Sequence, residues 1–170
     1  KTRAVWGSAR RPRLAYRDVA SSSNRLTLIA AILPRHTVAV HTVFCLRTRL
    51  PLRDQTFLCG MLNSFVANYL ARMWVTTHLG TTTVERLPVP RPDPQSDEYL
   101  NLAALAHQLG RPIRDWNGAY ARFQAIAAHL YGLSAADLRL VLDSFPLVDD
   151  AIRRSVMVKF LALDGLWVKR

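Results

Sequence analysis

The apolar residues of this chain change period once, and that change constrains the fold more than any other feature of its 170 residues. Up to residue 50 they fall in short runs, over 14–20, 26–33 and the β-branched 38–46, separated by Ser21, Ser22, Ser23 and Asn24 or stopped by Pro34. Runs of this length between turn formers predict three strands. From Asp54 to about Trp74 the spacing becomes three and four, with Leu58, Leu62, Phe65, Val66, Tyr69, Leu70 and Met73 on one face. That pattern predicts one long amphipathic helix, with Asp54 placed to cap it. Pro88, Pro90 and Pro92 exclude a helix interior, so residues 84–92 are expected as an edge strand running into a polyproline-like exit. Helices are expected over 98–109, 115–130, 135–144 and, with the weakest pattern, 149–163. Ser134 with Asp137 three residues on forms an Asp version of a capping box for the third. The expected class is α+β. A small mixed or antiparallel sheet lobe with a long packed helix (residues 1–92) precedes a helical docking or spacer lobe (residues 93–170).

Composition supports a packed core, because 50% of the residues are apolar and only 21% are charged. The longest apolar run, over 26–33, is far short of the roughly 20 residues that span a bilayer, and no membrane partner is expected. Cys45 and Cys59 match no metal spacing and are expected to be reduced, buried and intracellular, hence cytoplasmic. The chain opens on Lys1 rather than methionine and is expected to be part of a longer protein.

The charge is lopsided. Of the formal +11, residues 1–53 hold ten arginines and Lys1 against Asp18 alone, whereas the rest of the chain is almost balanced. A GC-rich genome explains arginine in place of lysine, but not the missing acids. Such a field is the footprint of a nucleic-acid surface, since the planar guanidinium pairs with phosphate and with guanine edges. The cationic third is accordingly expected to form one continuous face that lies along a double helix.

Catalytic chemistry finds no residues to carry it. The seven glycines never take the spacing of a phosphate or dinucleotide loop, and no asparagine precedes a proline, so the Asn-Pro-Pro-aromatic motif of amino-methyltransferases is missing. None of the three lysines follows an acid at the spacing of metal-dependent nucleases. His36, His41, His78, His107 and His129 show no ligand spacing for zinc. No catalytic residue, metal or cofactor is expected within this chain.

Several short motifs follow one another in order. They are Arg-x-x-x-Arg-Asp (13–18), Ser-Ser-Asn-Arg-x-Thr (22–27), Ala-Ala-Ile-Leu-Pro (30–34), Leu-Asn-Ser-Phe (62–65) and Val-Glu-Arg-Leu-Pro-Val-Pro (84–90). In this order the chain resembles the C-terminal target recognition region of type IIG-like restriction–modification enzymes and related adenine-specific DNA methyltransferases. The proline-rich exit also resembles the recognition domains of type I specificity subunits, and residues 129–146 resemble the helical tail of the same proteins. The resemblance implies a non-catalytic reader of double-stranded DNA that docks beside a methyltransferase domain. That domain would hold S-adenosylmethionine and the catalytic motif, with or without a nuclease, in a bacterial defence system.

On that reading Arg10, Arg11, Arg13, Arg17, Arg25 and Arg35 are expected on phosphates, which position the protein without specifying sequence. Arg47, Arg49 and Arg53, with Ser23 and Asn24, are expected at base edges in the major groove. Each has a plainer alternative. Arg17 and Asp18 can form an ion pair at a strand end, Asn63 can hold a backbone turn, and Arg72 can serve a helix dipole. Thr81, Thr82 and Thr83 can offer hydroxyls to phosphate or form a β-turn. Trp116, Tyr120, Phe123 and Trp167 are expected in the core. The competing function is a basic RNA-binding or protein-assembly module; Trp6, Tyr16 and Phe44 are the only aromatics among residues 1–53, fewer than RNA readers usually display.

Overall fold

The structure is a computed structural model that describes residues 10–167 and the side chains of residues 10–163. Three short strands form one antiparallel sheet in the order β2–β1–β3: β1 (Arg13–Arg17), β2 (Ala30–Leu33) and β3 (Val43–Cys45). Leu14 and Tyr16 of β1 point to one face, where Ala30, Ile32 and Phe44 join them. Arg13, Ala15 and Arg17 take the other face, as the two-residue period of a strand requires. Each strand is shorter than the apolar run that predicts it. Beyond β1 the Asp18 N–H bonds the Thr42 carbonyl at 2.9 Å and an isolated bridge joins Val19 to His78.

The expected single helix over 54–74 is two helices, α1 (Leu52–Leu62) and α2 (Phe65–Arg72). Asn63 closes α1 with φ −87° and ψ 0°, and Ser64 swings to an extended φ −69°, ψ 153°. The Ser64 hydroxyl then accepts from the Ala67 N–H at 3.1 Å, capping α2. The apolar spacing runs unbroken through this point, which is why periodicity alone misses the kink. Pro51, not Asp54, precedes the first turn of α1; the Asp54 carboxylate instead accepts from the Tyr99 hydroxyl at 2.5 Å.

The expected edge strand over 84–92 does not form. Residues Thr81–Glu85 make a short helix, α3, and the proline segment after it joins no strand, with Leu87 packed under it. The three threonines therefore open a helix rather than a β-turn. Four helices follow: α4 (Asp97–Leu109), α5 (Trp116–Leu130), α6 (Ala135–Asp143) and α7 (Asp150–Trp167). Ser134 and Asp137 form the expected capping box at α6. Gly132, at φ +70°, reverses the chain after α5, and Leu133 N–H reaches back to the Ala128 carbonyl at 3.2 Å. The last of them, α7, is the longest described helix and buries Val156 and Phe160.

Two apolar clusters result. The smaller joins the inner sheet face to Cys59, Leu62, Ala71, Leu79 and Leu87. The larger gathers Phe57, Met61, Phe65 and Val66 with Tyr99, Leu102, Phe123, Ile126, Phe145 and Phe160. Helices α1 and α2 thus feed one face into each cluster, tying the sheet to the helical array. Tyr120 and Phe123 are core residues; Trp116 is 38% exposed and stacks on Tyr120 at 4.6 Å, and the Trp167 side chain lies outside the described residues. No described helix is long and apolar enough to cross a membrane.

Candidate nucleic-acid interface

The antiparallel topology sorts the arginines by sheet end. Arg13 opens β1 opposite Leu33, where β2 finishes, and β3 also finishes at this end, since Leu46 N–H bonds the Leu14 carbonyl at 2.8 Å. Arg10, Arg11, Arg13, Arg35, Arg47 and Arg49 therefore collect at one end of the sheet. Arg17, Ser23, Asn24 and Arg25 belong to the opposite end, where β1 leads into the loop that enters β2. The single cationic face expected from the sequence is thus divided, and the expected base readers are divided with it.

At the first end lies a cleft of about 1040 Å³ lined by Arg10, Arg11, Arg13, Arg47 and Arg49, with Val38, Leu50 and Gln55 among its other walls and no carboxylate among its described lining residues. Arg10, Arg11, Arg47 and Arg49 are exposed, whereas Arg13 is only 9% exposed. One Arg13 amino group donates to the Thr37 carbonyl at 2.6 Å, while its Nε and the other amino nitrogen are buried without a partner. His36, with φ +63°, turns the chain just before Thr37. Arg13 is therefore not the free surface arginine that the sequence suggests; it sits at the floor. Arg35 is exposed two residues beyond β2 and does not line the cleft.

A second cleft of about 970 Å³ shares the wall formed by residues 44–48 but differs in chemistry. Leu58, Leu62, Val84, Leu87 and three prolines make it largely apolar, and Asp54 and Glu85 add carboxylates. The Tyr16 hydroxyl is buried there without a partner, and burial, with Asp18 and Glu85 nearby, pushes it up to about 12. Of the two clefts, only the first suits a polyanion. Cys45 lies in the shared wall and is half-buried, not fully buried as expected, while burial raises the Cys59 thiol to about 12 and leaves it protonated.

Arg17, Arg53 and Arg72 are committed elsewhere. Arg53 lies 3.5 Å from Asp54 and 5.5 Å from the centre of the Tyr99 ring. Arg17 points one amino group at the Leu26 carbonyl (3.4 Å), and Asp18 pairs with His78 at 2.9 Å rather than with Arg17. Ser23 bonds Ser21 within its own turn (2.8 Å), and the Asn24 and Arg25 carbonyls accept from Arg72 at 2.5 and 3.2 Å. Arg72 also reaches the Thr27 hydroxyl and the Ser144 carbonyl and lies 3.9 Å above the Phe145 ring, so it locks the 21–27 loop to the end of α6. Burial lowers its pKa.

A set of buried or half-buried amides, unassigned from the sequence except for Asn63, holds this frame. Asn63 extends the free edge of β2: Ala30 N–H donates to Asn63 Oδ1 at 3.0 Å and Asn63 Nδ2 donates to the Ala30 carbonyl at 2.8 Å. Asn68 accepts from Leu28 N–H at 2.8 Å, Gln55 from Leu14 N–H at 2.9 Å, and Gln124 from Phe65 N–H at 2.7 Å. The one signal in the sequence is an amide on an otherwise apolar helical stripe. Among the described residues no three His, Cys, Asp or Glu side chains converge as metal ligands would. Comparison with protein-family models, with curated proteins and with solved structures finds no match.

Proposed function

We propose that this chain is a sequence-reading module for double-stranded DNA, non-catalytic by itself, in a cytoplasmic protein whose adenine-specific methyltransferase domain holds S-adenosylmethionine. One observation carries the reading: four exposed arginines from two separate segments, Arg10 and Arg11 with Arg47 and Arg49, border a single cleft with no carboxylate among its described lining residues. Arg10, Arg11 and Arg35 contact phosphates, and Arg47 and Arg49, on the wall past β3, reach guanine edges. Ser23, Asn24, Arg17, Arg25 and Arg53 drop out of the interface, because they are committed elsewhere or lie at the far end.

Fluorescence anisotropy with a random duplex pool, and selection of the sequences retained, tests this. Arg47→Ala or Arg49→Ala is expected to relax preference at one base position by about 1–3 kcal/mol while other positions hold. Duplex affinity no greater than that for a polyanion of equal charge, or for single-stranded RNA, would overturn the reading.

A further inference from the structure

A guanidinium nine-tenths withdrawn from water with two nitrogens unpartnered is an unusual arrangement, because buried charge is normally paired. Arg13 has this arrangement, and the ion pairs among the described residues (Arg53 with Asp54, His78 with Asp18, Arg153 and Arg154 with Asp150) do not include it. Its cleft has no acid among its described lining residues and four more arginines, supplied by residues 10–11 and 47–49. Guanidiniums converging from two segments suit a tetrahedral oxyanion, whose several oxygens can each accept from a different donor. The exposed apolar side chains of Val38 and Leu50 on the same cleft suit the sugar that a phosphate ester carries.

We infer that the cleft is a discrete seat for one phosphate group, with the exposed guanidiniums of Arg10 and Arg11 at its rim and the buried charge of Arg13 beneath it. The inference deepens the duplex reading and rests on it only for the source of the phosphate, a DNA phosphodiester as against a free phosphate. The seat concentrates affinity at one point of the backbone, where a diffuse arginine surface would spread it.

The test is thermal unfolding in sodium phosphate against sodium chloride at matched ionic strength, without DNA. A seat of about 1 mM affinity filled by about 10 mM phosphate raises Tm by about 3–6 °C. Arg13→Met is expected to abolish that rise and to leave Tm in chloride equal or higher. Should the Met variant not fold, the rim pair Arg10→Gln with Arg11→Gln, both exposed, is expected to weaken the phosphate response at least fivefold. A wild-type response to phosphate no larger than that to chloride overturns the seat, as does a full response in both variants. Duplex that competes with phosphate assigns the seat to a phosphodiester. A phosphate response with no competition from duplex keeps the seat, assigns it to free phosphate and removes the DNA reading alone.

Discussion

Arg13 and Arg72 carry the same side chain and meet opposite surroundings. Arg72 is half-buried but satisfied, with the Asn24, Arg25 and Ser144 carbonyls, the Thr27 hydroxyl and the Phe145 ring around it. Burial lowers its pKa, so the charged form persists because those acceptors replace its hydration. Lysine cannot serve them together, since its ammonium lacks the fork. Arg72→Lys is therefore expected to cost about 2–3 kcal/mol in urea unfolding. Its duplex affinity, measured where the variant is still folded, should match the wild type. Nothing local distinguishes Arg72 from Arg47 or Arg49 in the sequence; the partner that commits it is Ser144, 72 residues away.

At the scale of elements, the joint between α1 and α2 decides how the sheet is held. A continuous helix would carry the Asn63 amide away from β2; the break lets it complete the strand's free edge. Asn63→Leu removes both partners of the Ala30 backbone and is expected to cost about 2–4 kcal/mol, read as a lower urea midpoint. Gly60 shows how closely the next layer packs. A Cβ there would meet Ala106 Cβ and Leu102 Cδ2 at 3.0 Å and the Phe123 ring at 3.1 Å. Gly60→Val should thus cost about 1–3 kcal/mol by overpacking, measured by calorimetry as a lower Tm. The caps at Ser134 and the extents of α4, α5 and α6 were legible because their determinants lie within four residues. The shortened strands were not, because packing against distant elements overrides local apolar pattern, and neither was α3, a five-residue helix with no buried residue.

For the whole molecule, topology divides a charge that composition presents as uniform. Antiparallel pairing brings residues 10–13 and 47–49 together and sends residues 17–25 to the far end. Salt dependence of duplex binding separates the two groups. Each phosphate that a variant no longer neutralises is expected to flatten the log–log slope by about 0.9. Arg10→Ala with Arg11→Ala should flatten it by about 2, and Arg25→Ala should leave it unchanged, by anisotropy titration at a series of salt concentrations. An equal effect from Arg25→Ala would restore the undivided face and exclude the cleft as the principal site of binding.

By itself the sequence determined an α+β chain with the bulk of its positive charge in the first third, a packed helical second half and the capping chemistry at α6. These are properties of composition and of neighbours within one helical turn. The tertiary structure decided which arginines are tied down by partners that only folding brings near: Arg17 by Leu26, Arg72 by Ser144, and Arg53 by Tyr99 as well as its neighbour Asp54. A guanidinium is available to a ligand only where no carbonyl, carboxylate or ring has already replaced its water, and that depends on distances in space, not along the chain.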